Sequence, residues 1–224
     1  MQKTWYYREG SKKAELWTIL HLPYTAMCLS FLIIGFGIQK PIDVTALILI
    51  SIAYLLGLGV AAHALDQLKG MGTSYIKYLS QKELLTLGIV SLVITTGIGL
   101  WFIVAYNAWL LLPLMVLQSF FALSYPVATL FKGVFHNDTS FAFSFGLLPV
   151  VIGYYCNNLN LEWIVIPFGL VCFLIALIEI TLSRYVRNVR KRKDSDNEFI
   201  AKPELALKIL CLVSYTLAIS VFII

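Results

Sequence analysis

Long apolar segments recur along the whole chain, and this repetition constrains the fold more than any single motif. A helix that crosses a bilayer needs about 20 predominantly apolar residues. Hydrophobic residues make up 59% of the 224 residues, mean hydropathy is +0.83, and only 13% of the residues are charged. A soluble domain of this length could not keep that much apolar surface from water. The sequence therefore predicts an all-α, polytopic membrane protein.

Seven segments are long and apolar enough, or nearly so, to be transmembrane helices in a single domain over residues 1–224. Ser80–Glu83 has the pattern of a capping box opening the third segment, and Asp43 and Pro203 are placed at two other helix starts. Tyr106-Asn107 predicts a tight turn between antiparallel spans three and four. The predicted spans are about 16–38, 44–64, 84–104, 107–125, 139–156, 161–182 and 204–224.

The basic residues are distributed unevenly between the two predicted sides of the membrane. Sixteen of the 17 Lys and Arg residues fall on the side that holds the N-terminal tail and the loops after spans two, four and six. The other side carries only Lys40. The positive-inside rule then predicts a cell-membrane protein with a cytoplasmic N-terminus and an external C-terminus. The charge could serve topology and anionic-lipid contact alone, or bind an anionic headgroup or diphosphate. Nucleic acid is not an expected partner, because topology already explains the charge.

Three polar clusters fall on the predicted cytoplasmic side, each where an even-numbered span ends. Polar groups at membrane depth are costly and often functional, although each cluster also has a purely structural interpretation. His63 and Asp66 could be a hydrogen-bonded pair, Asp138 a helix cap, and Glu179 one half of a salt bridge. His21 is expected to be an interfacial packing residue. The clusters are His63 with Asp66, then Tyr125–Lys132 with His136–Asp138, then Glu179, Ser183, Arg184, Arg187, Asn188 and Arg190.

The order of these clusters resembles the UbiA superfamily of intramembrane prenyltransferases. Its members carry N-D-x-x-D-x-x-x-D where span two meets the cytoplasm and D-x-x-x-D at the end of span six. A Tyr-Pro segment ending in a basic residue follows span four. Here Ala62–Gly70 aligns with the first motif, and Tyr125-Pro126 with Lys132 aligns with the Tyr-Pro segment. Phe145–Pro149 is similar to part of the family's fifth span, and the resemblance covers about residues 15–200.

The resemblance implies a UbiA-like helical bundle and transfer of a prenyl group from a prenyl diphosphate to a lipid or aromatic acceptor. In that chemistry Mg²⁺, held by carboxylates and diphosphate oxygens, neutralises the leaving group. Arginine and lysine can also bind a diphosphate. The implied roles are catalysis for Asp66 and His63, diphosphate binding for Lys132, Arg184 and Arg187, and metal ligation for Asp66, Glu179 and Asp138.

The chain also departs from the family pattern. The first motif keeps only its middle aspartate, Asp66, and the second keeps no D-x-x-x-D. His63 is a poor Mg²⁺ ligand and suits a transition metal better. The family usually has nine spans, so the flank of the two missing spans could accept a partner helix or a second copy.

Enzymatic activity therefore stays open, and the alternative is a non-catalytic, UbiA-like lipid-binding or structural subunit of a membrane complex. A transporter or channel is less favoured, because no inverted repeat is visible and carboxylates are sparse within the spans.

Overall fold

The protein is an all-helical bundle over the residues that the computed structural model describes, which are 5–8, 10–68, 76–124, 134–135, 137–191 and 198–223. Six helical segments are long and apolar enough to cross a membrane, as in an integral membrane protein. The helices are α1 (Lys12–Ile19), α2 (Leu22–Gly37), α3 (Val44–Leu68), α4 (Gln81–Tyr106), α5 (Leu111–Ser124), α6 (Asp138–Asn158), α7 (Val165–Lys191) and α8 (Glu198–Ile223).

The helix boundaries follow most of the predicted signals. Ser80 and Glu83 form the reciprocal capping box at the start of α4, and Asp43 caps α3 by accepting from the backbone N–H of Ala46. Asn107 ends α4 in a left-handed conformation with φ of 54°, which turns the chain back into α5. The prediction for Pro203 was wrong: α8 begins at Glu198 and contains Pro203 within its first turns. Pro203 is the sixth residue of α8, so its ring removes the hydrogen bond that a backbone N–H there would donate to the carbonyl oxygen of Phe199.

The fourth predicted span corresponds to the short helix α5. Its 14 described residues rise about 21 Å, less than the roughly 30 Å hydrocarbon core of a bilayer. The other six predicted spans correspond to the six long helical segments, of which the first combines α1 and α2. α3 and α6 each contain a π-helical stretch, Leu55–Ala62 and Phe143–Leu147 respectively.

α2 and α6 pack backbone against backbone at the centre of the bundle. A Cβ added to Gly35 would lie 2.2 Å from the carbonyl oxygen of Val150, and one added to Gly153 would lie 2.3 Å from that of Leu32. Such close approach of small residues allows dispersion contacts along both helices, which lipid-embedded helices use for association. One apolar cluster on each side of this pair joins it to α3–α5 and to α7–α8.

Two different sets of polar contacts hold the two ends of the bundle. At the end carrying α1, called here the basic end, Lys12 pairs with Glu83 at 2.5 Å, and Arg190 pairs with Glu204. At the opposite end Asn157 accepts from the backbone N–H of Asp43 and donates to the carbonyl oxygen of Gln39. The basic end also carries the predicted site residues.

α1 is tied to the segment that precedes α4. The carboxylate of Glu15, which is 2% exposed, accepts from the backbone N–H groups of Lys77, Tyr78 and Leu79. One carboxylate thus satisfies three consecutive backbone donors, and hydrogen bonds to a charged group are the stronger class. Glu15 therefore fixes the end of the α3–α4 connection beside the start of the first membrane-spanning segment.

Candidate functional site

Two histidines from different helices stack at the basic end. The rings of His21 and His63 have centroids 4.2 Å apart and planes inclined by 25°. Each Nδ1 lies 3.0 Å from a backbone carbonyl oxygen, that of Ile19 for His21 and that of Gly59 for His63. Because a carbonyl only accepts, we assign the hydrogen of each neutral ring to Nδ1. Both Nε2 atoms then keep a lone pair that can accept a proton or a hydrogen bond.

The local backbone explains how both rings reach this position. His21 separates α1 from α2 and adopts φ of 43°, a left-handed conformation that is uncommon outside glycine. His63 follows directly after the π-helical stretch of α3, and its backbone N–H donates to the carbonyl of Val60. The ring of His63 donates to the carbonyl of Gly59 in the same stretch. Both features, a strained residue and a π-helical stretch, are frequent at functional sites.

Arg187 of α7 connects the histidines to a buried acid. Its charge interacts electrostatically with both His21 and Glu179. Glu179 is 2% exposed, and its Oε2 accepts no hydrogen bond from the described residues. Tyr24 interacts electrostatically with Glu179 and through a hydrogen bond with Ser183. The result is a buried acid with an unused acceptor that interacts with a guanidinium, and the same guanidinium also interacts with His21.

Asp138 extends the same cluster to the start of α6. Its Oδ1 lies 2.7 Å from Nη1 of Arg184, and both side chains are about one-third exposed. Asp138 also interacts electrostatically with Glu179. Its neighbour Asn137, not Asp138, caps α6 through its side-chain oxygen. The pairing with Arg184 therefore brings the second and third predicted clusters into contact.

Six of the seven predicted site residues thus belong to one connected group. Asp66 interacts electrostatically with His63, which stacks on His21. Electrostatic interactions continue from His21 through Arg187 and Glu179 to Asp138, which is paired with Arg184. Lys132, the seventh, lies outside the described residues. We call the group of His21, His63, Asp66, Asp138, Glu179, Arg184 and Arg187 the polar cluster.

The carboxylates of the polar cluster do not by themselves fit the expected Mg²⁺ site. Within the described part of the chain, no three His, Cys, Asp or Glu side chains are grouped closely enough to hold a metal ion. Asp138 faces Arg184, and Glu179 lies near Arg187. Mg²⁺ needs several oxygen ligands in near-octahedral geometry. The described residues therefore do not supply a complete Mg²⁺ site.

The sequence pattern did not indicate that His21 and the N-terminal aromatic residues lie beside the predicted site residues. Tyr6 lies 5.5 Å from both the His21 and the Tyr24 rings, and Tyr7 lies 6.1 Å from His21. Trp5 packs against the ammonium group of Lys208 on α8, at 5.4 Å. The available signal was the aromatic run Trp5-Tyr6-Tyr7 in an otherwise polar N-terminal stretch. This segment covers the His21 side of the polar cluster.

Fold and site together define an all-helical integral membrane protein with a buried, charged cluster at one end of its bundle. No protein-family model, curated protein or solved structure matches the chain.

Proposed function

We propose that the chain is a UbiA-like prenyl-transfer protein that binds a prenyl diphosphate at the polar cluster. One observation carries the proposal: His63 of α3 is linked through His21 to Arg187 and Glu179 of α7. These are residues to which the resemblance assigns roles. In the proposed orientation the basic end faces the cytoplasm, where soluble prenyl diphosphates would be met.

The proposed chemistry separates charge neutralisation from proton transfer. Arg184 and Arg187, with Lys132, hold the diphosphate, and the guanidinium of Arg184 exchanges its bond with Asp138 for diphosphate oxygens. The allylic C–O bond breaks, and its electron pair leaves with the diphosphate. The acceptor nucleophile bonds to the prenyl carbon, and its proton passes to Nε2 of His63, with Asp66 stabilising the imidazolium.

Binding and turnover of geranylgeranyl diphosphate test this proposal directly. Purified protein in nanodiscs is titrated with the radiolabelled diphosphate, with Mg²⁺ and with chelator, and then supplied with an aromatic acceptor. We expect Arg187→Gln to weaken binding about 10- to 100-fold, because hydrogen bonds to charged groups are the stronger class. The matched control Lys13→Gln removes an exposed basic residue from α1 and should bind normally. Absence of binding, or equal effects of the two substitutions, would overturn the proposal.

A non-catalytic relative is the second candidate, and the Asp138–Arg184 ion pair favours it. An acid already paired with an arginine is a poor metal ligand and a poor base. This candidate binds isoprenoid or other anionic lipids, or joins a partner subunit or a second copy. Diphosphate binding without product, unaffected by Asp66→Asn, supports it. Native mass spectrometry from nanodiscs then tests for the additional subunit.

A further inference from the structure

A cleft opens between α4 and α5, and α3 forms its floor. Its volume is about 90 Å³, and its wall includes Gly57 on α3, Thr95 on α4 and Ala122 on α5. Gly57 faces Thr95 of α4, whereas Gly59, whose carbonyl binds His63, faces Thr25 of α2. The cleft and the polar cluster therefore lie on different faces of α3.

A chain of buried hydrogen bonds crosses the floor of the cleft. The hydroxyl of Tyr54 donates to Oε1 of Gln118 at 3.4 Å, and Nε2 of Gln118 donates to the hydroxyl of Ser144 at 2.9 Å. Gln118 and Tyr54 are each 8% exposed, and Ser144 is 1% exposed. Tyr54 and Gln118 both line the cleft. Side chains of this polarity are expensive at membrane depth and mark functional positions.

The described partners leave part of this hydrogen-bonding capacity unused. A glutamine amide carries two N–H donors, and Gln118 uses one of them, towards Ser144. The tyrosine oxygen, which donates its hydrogen to Gln118, keeps acceptor capacity. The second N–H of Gln118 is therefore available to a ligand in the cleft.

Both ends of the hydrogen-bonded chain coincide with irregular helix geometry. Tyr54 directly precedes the π-helical stretch Leu55–Ala62 of α3, and Ser144 lies inside the stretch Phe143–Leu147 of α6. Short π-helical stretches inside α-helices are rare and occur frequently at functional sites. Two such stretches meeting at one hydrogen-bonded chain support a binding role for the cleft.

The lining of the cleft limits the chemistry of the ligand. All of its lining residues are described, and none of them carries a charge, so a charged ligand would be desolvated without compensation. Thr96 and Ser119 line the cleft and are exposed on the outer surface of the bundle. We propose that the cleft binds a slender, uncharged lipid whose carbonyl oxygen accepts a hydrogen bond from Gln118 while its chain lies between α4 and α5.

Photolabelling with a matched ketone and alkane tests the proposal. Protein in nanodiscs is labelled with a long-chain methyl ketone that bears a diazirine, and the modified peptides are identified by mass spectrometry. We expect saturable labelling of the α4 and α5 positions around Thr95 and Gln118. Displacement by 2-undecanone should require at least about five-fold less competitor than displacement by undecane, which offers no acceptor.

Substitutions on the floor supply the second readout. Gln118→Leu keeps the approximate volume and should weaken ketone binding about five- to ten-fold, and Tyr54→Phe should weaken it less. Thr216→Val is the control, because Thr216 is exposed on α8 and bonds only within its own helix. Labelling that does not saturate, or equal displacement by ketone and alkane, overturns the proposal. An unchanged ketone affinity in a normally folded Gln118→Leu variant also overturns it. If that variant unfolds early, the ketone–alkane comparison on the unmodified chain decides.

Discussion

His21 and His63 stack with ring centroids 4.2 Å apart, which joins the first and second membrane-spanning segments at the basic end. Each ring is oriented by its own backbone carbonyl contact rather than by the other ring. The pair is thus preorganised before any ligand arrives, which reduces the entropy lost on binding.

The left-handed backbone of His21 predicts an unusual order among substitutions. Asparagine tolerates φ of 43°, whereas a β-branched residue does not, so His21→Val should destabilise the protein by about 1–3 kcal/mol more than His21→Asn. Both variants lose the imidazole ring, so the difference between their unfolding free energies gives the cost of the left-handed backbone at this position. Reversible unfolding in mixed micelles measures it. Equal losses would mean that the left-handed turn carries no strain.

The Glu15 carboxylate predicts a locally confined effect. Glu15→Ala leaves three backbone N–H donors without their acceptor and should destabilise the protein by about 2–4 kcal/mol, while Glu15→Gln retains one acceptor oxygen and should lose less. Amide hydrogen exchange at Lys77, Tyr78 and Leu79 should accelerate in the alanine variant. Glu162→Ala, at an exposed position, is the control. Unchanged exchange at these three amides contradicts the expectation.

Two glycine-to-alanine substitutions distinguish the effect of close helix packing on stability from the effect of helix propensity. Gly35→Ala places a methyl group 2.2 Å from the backbone oxygen of Val150 and should destabilise by about 1–3 kcal/mol or more. Gly97→Ala meets no atom within 4 Å and should be neutral or stabilising by up to about 1 kcal/mol. Thermal unfolding in one detergent compares the two variants. Similar midpoints would argue against close α2–α6 packing.

The Arg190–Glu204 pair between α7 and α8 predicts strong non-additivity. Arg190 is 9% exposed, and its Nε and Nη1 have no hydrogen-bond partner among the described residues. Glu204→Leu leaves this guanidinium uncompensated and should cost about 3–5 kcal/mol, whereas Arg190→Met combined with Glu204→Leu should cost much less. A double-mutant cycle of unfolding free energies measures the coupling. Additive losses would show that the two charges are independent.

Membrane orientation can be tested by cysteine labelling without removing the native cysteines. The four cysteines, Cys28, Cys156, Cys172 and Cys211, are all buried, so their background reaction with an impermeant maleimide should be low. Lys13→Cys and Asn160→Cys place thiols at exposed positions on opposite ends of the bundle. If the N-terminus is cytoplasmic, the impermeant maleimide added to intact cells should label only the cysteine at position 160. The reverse pattern would invert the proposed topology.

The sequence predicted those features that depend on neighbouring residues or on apolar run length. The capping box at Ser80, the cap at Asp43 and the turn at Asn107 were all confirmed, because each depends on local backbone chemistry. Pro203 was misplaced, because proline is favoured at the first helical position but also occurs inside helices, and here it is the sixth residue of α8.

The site was only partly accessible from sequence. His63 and Glu179 were selected by motif position, but the stacking of His63 on His21 depends on tertiary packing that no spacing encodes. The electrostatic interaction of Glu179 with Arg187 is different, because both residues lie on α7 and helical spacing brings them to one face. The sequence did not indicate a binding role for Gln118, because a single amide side chain within an apolar segment belongs to no recognisable motif. Its importance depends on Tyr54 and Ser144, which lie far from it in sequence.

The unequal contacts at the two ends of the bundle imply that ionic strength acts mainly on the basic end. At the far end the ammonium group of Lys40 donates to the uncharged carbonyl oxygens of Val221 and Phe222 rather than to a carboxylate. Lys12–Glu83 is exposed and Asp138–Arg184 is partly so, and mobile ions screen such pairs within about 10 Å at 0.1 M salt. The bonds of Asn157 with Asp43 and Gln39 are made by uncharged amide and peptide groups. Added electrolyte should therefore weaken the helix contacts at the end that carries the polar cluster and leave those at the far end intact. In concentrated salt the helices would then separate more easily at the basic end than at the far end.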